Sequence, residues 1–232
     1  MTIRSVFDEV RNTLDYLSEA ELSIFTNEVS MLDGRVSWYP LRRDVPFMRT
    51  HEHPTLDQFS EWVVGGHYSC LLFDGSLLQI TYDIEDADVC GHRLAYIPCP
   101  VVLDTSLLQD EPVIDLVELY LADSPSSIAL RTPVRFDFDP RSAKSGHPAA
   151  HMTINSVDCR IACVAPMHVG RFVDFVFRNF YAELRSAHAG FFDAAGRRHL
   201  GKKVIEDEHR MAPHLMWDLA AESFGGKPAA RS

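Results

Sequence analysis

"HYSCLLFDGSLLQITYDIE", residues 67–85, is the stretch that decides the fold. Two strand-like apolar runs flank Asp74-Gly75. An Asp-Gly pair in that setting is the strongest short hairpin signal, because glycine accepts the positive φ that a tight turn needs. The spacing predicts strands near 67–73 and 77–84. A helix through 70–80 would remove the basis for a sheet here.

Outward from the turn, "CGHRLAYIPCPVVL" (90–103) reads as a third extended run. "PVIDLVELYLAD" (112–123) reads as a helix with Pro112 in its first turn and Ile114, Val117 and Leu121 on one face. "GRFVDFVFRNFYAEL" (170–184) predicts a second helix, near 168–185. Phe172, Val173, Phe175, Val176, Phe177, Phe180 and Leu184 cover so wide an arc that it should be nearly enclosed. On the N-terminal side, Val6, Val10, Leu14 and Leu17 recur at helical spacing, and Ser18 with Glu21 has the form of a capping box. The expectation is a helical segment over 1–30 that Asp33-Gly34 ends. Strand runs with helices before, between and after them predict an α+β class: a mainly antiparallel sheet with helices packed on one face. A single domain would span 1–222, with its sheet core at 66–165, and 223–232 would be a disordered tail.

The chain has 232 residues, 46% of them hydrophobic and 24% charged, enough to bury a sizeable core without staples. No apolar run approaches a membrane span, and the N-terminus carries acids where a signal peptide would be basic and apolar. The expected location is therefore the cytoplasm. The five cysteines have no CxxC spacing, and read as reduced, mostly buried thiols. Cys159 and Cys163 read as core residues rather than zinc ligands. The net charge of −11 does not support a broad nucleic-acid footprint, although it leaves room for a local one. The basic island "GRRHLGKK" (196–203) reads first as a solvated loop.

The chemistry concentrates in "RFDFDPRSAKSGHPAAHMTIN", residues 135–155. Read as two strands, it puts Val134, Phe136 and Phe138 on one face with Ala150, Met152 and Ile154. Arg135, Asp137, Asp139, His151, Thr153 and Asn155 take the other. In "CRIACV", Arg160 points away from Cys159, Ile161 and Cys163. A carboxylate beside an imidazole suits general acid–base work, and a guanidinium suits an anion such as phosphate. Asp137, His147, His151, Arg135 and Arg160 are therefore the candidate catalytic residues. Asp137 and Asp139 with His147 and His151 are also donors that a divalent metal accepts, but the pattern selects no particular metal or cofactor. An amphipathic hairpin with a salt-linked polar face shows the same alternation, and that reading stays open. "HEHP" (51–54) is a weaker candidate through His51 and His53, while His67 and His92 read as hydrogen-bonded strand residues. There is no P-loop, GxGxxG, GxSxG or HExxH.

"LRTPVRFDFDP", "GHPAAHMTIN", "CRI" and "GRFVDFVFRNFY", with the upstream "FDGSLLQITYDI" and "RLAYIPCP", resemble a bacterial family known as domain of unknown function 2290. The resemblance spans about residues 55 to 185 and implies no established activity. The Asp-and-His hairpin is also similar to that of TumE-type toxins of bacterial toxin–antitoxin pairs, the matching positions being Arg135, Asp137, His147 and His151. That likeness implies defence biology, where RNA cleavage is common. Two functions follow as expectations. One is a small ribonuclease-like hydrolase that uses this polar face. The other is a non-catalytic subunit of a defence complex, binding a protein partner or a second copy through its sheet edge or polar face. If the face is catalytic, Asp137→Asn should leave the fold nearly intact.

Overall fold

The computed structural model describes residues 2–39, 55–123, 128–129, 131–154 and 158–219. His51, His53, Asn155 and the expected tail at 223–232 lie outside them. The elements run α1 (Ile3–Glu19), β1 (Ser23–Thr26), β2 (Val29–Leu32), β3 (Arg35–Trp38), α2 (Leu56–Val64), β4 (Cys70–Leu72), β5 (Leu77–Glu85) and β6 (Asp88–Ile97). After a 3-10 turn (Thr105–Gln109) come α3 (Val113–Asp123), β7 (Val134–Phe138), β8 (Ala150–Ile154) and β9 (Arg160–Ala162). α4 (Val169–Phe180), α5 (Ala182–Ala187), α6 (Ala189–Arg197) and α7 (Asp207–Arg210) follow. The strands form one sheet of nine, in the path β1-β4-β5-β6-β7-β8-β9, with β3 also paired to β5 and β2 to β3. Every pairing is antiparallel. The fold is α+β, as the strand and helix runs predict.

The Asp74-Gly75 turn holds its place. Gly75 has φ 82°, Gly75 N donates to Leu72 O at 3.0 Å, and the Asp74 carboxylate accepts from Ser76 N at 3.0 Å. β4 is shorter than expected, so His67 precedes the strand rather than lying on it.

The main core lies on the face to which Leu78, Ile80 and Tyr82 of β5, Leu94 of β6 and Phe136 of β7 point. Across it lie α1, through Val6, Val10, Leu14 and Leu17, and α4, through Phe172, Val173, Val176 and Phe177. Phe136 meets Phe172 and Phe175 edge-on, and Phe177 stacks on Phe192 of α6. α4 is thus enclosed between sheet and helix except at its last turn, where Phe180, expected in the buried arc, is 43% exposed; each fully buried phenylalanine stabilises by about 1.5–3 kcal/mol. Its approach is clamped at Met167, whose N–H donates to His92 Nε2 at 2.8 Å and whose carbonyl accepts from Tyr82 Oη at 2.9 Å.

Three expectations need correction. The helix expected over 168–185 breaks at Tyr181, whose φ of −140° and ψ of 53° leave the helical region. The helical segment expected over 1–30 ends at Glu19, and residues 23–26 and 29–32 are strands. The Ser18–Glu21 pattern opens no helix: Glu21 has φ 56°, and the chain turns there into β1. Sheet pairing with β4 outweighs the weak local signal, and Asp33-Gly34 becomes the turn of a β2–β3 hairpin. Finally, the helices are not confined to one face. α2 and α3 cover part of the opposite face, where Phe59, Trp62, Leu116 and Val117 pack on Leu71, Leu77, Ala95 and Ile97.

Among the described residues no helix is long and apolar enough to cross a membrane. All five cysteines are free thiols. Cys159 is exposed and lies outside β9, which departs from the shared strand face expected for it and Cys163.

Candidate functional site

The opposite face of β7, β8 and β9 carries the polar constellation, and register assembles it. Asp137 pairs with His151, Arg135 with Thr153, and Thr153 in turn with Arg160. A slip of one residue would have sent a strand's polar set into the apolar core. On β6, Arg93 pairs with Asp137 on one side and Thr81 on the other, and Thr81 shares a 3.0 Å hydrogen bond with Ser37. Ser37, Thr81, Arg93, Asp137 and His151 therefore form one cross-strand row over five strands. Arg135, Thr153 and Arg160 form the row beside it.

This face is not a solvated hairpin surface. Arg135 is 2% exposed, Asp137 8% and His151 3%. Arg135 Nε donates to Asp137 Oδ2 at 2.6 Å, a buried charge-assisted bond. The same oxygen lies 3.6 Å from His151 Nε2, too far for a hydrogen bond. His151 Nδ1 is 2.8 Å from the Pro148 carbonyl. A carbonyl only accepts, so Nδ1 carries the proton and Nε2 of the neutral ring is left with a lone pair. Burial pushes the His151 pKa down. Asp137 and the Pro148 bond act against that, and the charges of His147 and Arg160 act with it, so the result is lowered. The ring is thus neutral near pH 7, beside a carboxylate that would stabilise the imidazolium formed when Nε2 takes a proton.

His147 belongs to the connecting turn, where Lys144 and His147 exchange backbone bonds of 3.1 and 2.8 Å around Ser145-Gly146. Its ring lies 5.0 Å from that of His151, edge to face. Its Nδ1 is buried without a hydrogen-bond partner among the described residues, as is Thr153 Oγ1. Arg160 sits at the outer strand with its side chain 20% exposed, 3.9 Å from Asp158. The structure thus brings all five sequence candidates to one place.

It separates Asp139 from them. That carboxylate accepts from Arg141 N, Ser142 N and Ser142 Oγ at the end of β7. Burial pushes its pKa up, but these bonds and the Arg93 charge outweigh that and hold it below the usual range. Asp137, Asp139, His147 and His151 do not converge as a metal-ligand set. The cluster of that kind among the described residues is Glu206, Glu208 and His209, largely exposed.

Sequence reasoning missed Arg93, Thr81 and Ser37. Alternation along β6 sets Arg93 apart from Leu94, but only sheet order places it beside Asp137. These residues line a cleft of about 670 Å³ that also takes in Asp139, Arg35 and Asp83. Arg35 is bound to Asp83 there at 2.6 Å. His92 is the sheet residue expected of it, with burial forcing its pKa to about 3. The basic island is held internally: Arg198 pairs with Glu9, and Arg197 Nε donates to Asp193 O.

A family model described as "Uncharacterized conserved protein (DUF2290)" matches residues 18–217. No curated protein and no solved structure matches the chain.

Proposed function

For a chain that belongs to the DUF2290 family, we propose a small cytoplasmic hydrolase that cleaves RNA in a bacterial defence or toxin–antitoxin setting. The observation that carries the reading is the neutral His151, held by Pro148 with Nε2 unprotonated and Asp137 beside it. In this mechanism Nε2 takes the 2′-hydroxyl proton, the 2′ oxygen attacks phosphorus, and the bond to the 5′ oxygen breaks. His147, the neighbouring imidazole, returns a proton to that oxygen. Asp137 stabilises the imidazolium on His151, and Arg135 or Arg160 meets the phosphate. Substrate enters where His147 and Arg160 keep part of their surface in solvent.

The buried ion pair changes which variant tests this. Asparagine at 137 would leave the Arg135 guanidinium buried without its counter-charge, so Asp137→Asn should unsettle the fold rather than spare it. His151→Gln is the cleaner probe. The wild-type protein should cleave a fluorescent RNA oligonucleotide to a 2′,3′-cyclic phosphate and leave its 2′-deoxy counterpart intact. His151→Gln, folded by circular dichroism, should be inactive. Absence of cleavage by folded wild-type protein ends this reading.

The second reading, a protein-interaction subunit, is favoured by a different feature. Ile24 and Phe25 of β1 are 41% and 51% exposed, and Met31 and Leu32 of β2 are 38% and 54% exposed. Among the described residues β1 pairs only with β4, and β2 only with β3, which leaves an outer edge of apolar strand. Such edges invite a further strand from a protein partner or a second copy. Phe25→Glu with Leu32→Glu should abolish that association in light scattering or pull-down with the partner. Unchanged association would remove the edge as the interface.

A further inference from the structure

The row beside His151 contains a feature that the acid–base reading leaves unused. Arg135, Thr153 and Arg160 follow one another across β7, β8 and β9. Thr153 is 7% exposed, and its hydroxyl oxygen has no hydrogen-bond partner among the described residues. A buried hydroxyl left unpaired is destabilising, and a ligand able to engage it would recover that cost. A guanidinium stands on each side of it in the row. Arg135 is engaged by Asp137 at 2.6 Å, and each cancels the other's charge. Arg160 is bound more loosely: among the described residues its carboxylate contact is Asp158, 3.9 Å away with a side chain 90% exposed, where water screens it. The local balance is therefore positive although the chain as a whole is acidic. Arg160 also acts on the imidazole, since its charge helps to hold the His151 pKa down.

We propose that Thr153 and Arg160 form an anion subsite that seats one phosphate group at the outer edge of the sheet, beside His151. A tetrahedral oxyanion accepts from the Thr153 hydroxyl and the Arg160 guanidinium together, and a phosphate brings more charge and more acceptor oxygens to them than a carboxylate does. The subsite rests on the hydrolase reading of this face for its role, and it assigns Arg160 rather than Arg135 to the scissile phosphate. Thr153 becomes a substrate-binding residue. One phosphate, not a phosphate track, is what Arg160 beside one hydroxyl can hold.

The test is titration of the full chain with inorganic phosphate, followed by amide and guanidinium NMR shifts, with sodium acetate as control. Wild type should show saturable shifts at Thr153 and Arg160. Arg160→Gln should weaken binding about tenfold or more, and the near-isosteric Thr153→Val about three- to tenfold, consistent with hydrogen bonds to a charged group. His151→Gln should bind phosphate as wild type does while failing to cleave RNA. Equal phosphate affinity in wild type, Arg160→Gln and Thr153→Val overturns the subsite, as does binding of acetate equal to that of phosphate. Site-specific phosphate binding by a wild type that cleaves no RNA would keep the subsite and discard the hydrolase. RNA cleavage with phosphate affinity unaffected by either variant would do the reverse.

Discussion

Phe136 and Asp137 are neighbours in the chain, and both are buried, yet they face opposite sides of one sheet. On Phe136's side, Phe138, Ala150 and Met152 join α4 in a core where burial itself stabilises. On Asp137's side, Arg135, His151 and Thr153 are equally removed from water, and there burial is a cost that pairing offsets only in part. Equal burial therefore has opposite energetic meaning on the two faces. The apolar face explains why the protein folds. The polar face is retained at some expense, which is the pattern expected of a site.

The comparison breaks most visibly through large truncations. Phe172→Ala, at the centre of the apolar face, should cost about 3–5 kcal/mol in urea unfolding. Asp137→Leu should cost a similar amount, about 3–5 kcal/mol, for a different reason: it strands Arg135. Adding Arg135→Met to Asp137→Leu should recover most of that loss, whereas no second polar-face change should rescue Phe172→Ala. A double variant as unstable as Asp137→Leu alone would show that the face is held by packing and not by charge pairing.

Acid should act through the buried imidazoles. His92 is held at about 3 by burial, with its Nε2 already accepting the Met167 N–H, and His151 is shifted the same way. The unfolded chain takes up these protons near the ordinary value of about 6.5 while the folded chain does not. The stability is complete above that value and is lost as pH falls from it towards the folded pKa. By pH 5 the loss should reach about 2 kcal/mol for His92. His92→Gln should remove its own share of that slope between pH 6.5 and 5, leaving the share of His151 and of His168, which burial also shifts down, and an unchanged slope would place the proton uptake elsewhere.

The smallest effects sharpen the comparison. Gly75→Ala should cost about 1 kcal/mol, because its φ of 82° suits glycine and a Cβ would meet Val113 at 3.0 Å. His151→Gln should cost about 1 kcal/mol in thermal or urea unfolding, from the bond to Pro148. A much larger loss would make His151 a structural member of its face.

Much of this is legible in the sequence. The Asp-Gly hairpin, the apolar arc of α4 and the two-residue alternation around Asp137 and His151 are local patterns, and they hold apart from the exposed Phe180 and the separated Asp139. The alternation named the polar face because side chains in a strand can point only two ways. Two of the errors are local readings that longer-range structure overrules. Residues 20–30 carry a helical signal too weak to hold against pairing with β4, and Tyr181 interrupts a pattern that continues apolar on both sides.

The sequence by itself determined the α+β class, the Asp74-Gly75 hairpin, the paired runs around Asp137 and His151 and the five candidates on them and on Arg160's strand, because periodicity and turn chemistry act over a few neighbours. Only the tertiary structure decided that this face is buried, that Arg135 is tied to Asp137, and that Arg93 lies opposite it from a strand some forty residues earlier. Burial and cross-strand neighbours depend on strand order and on what covers each face. Those are long-range choices, made by the whole core at once.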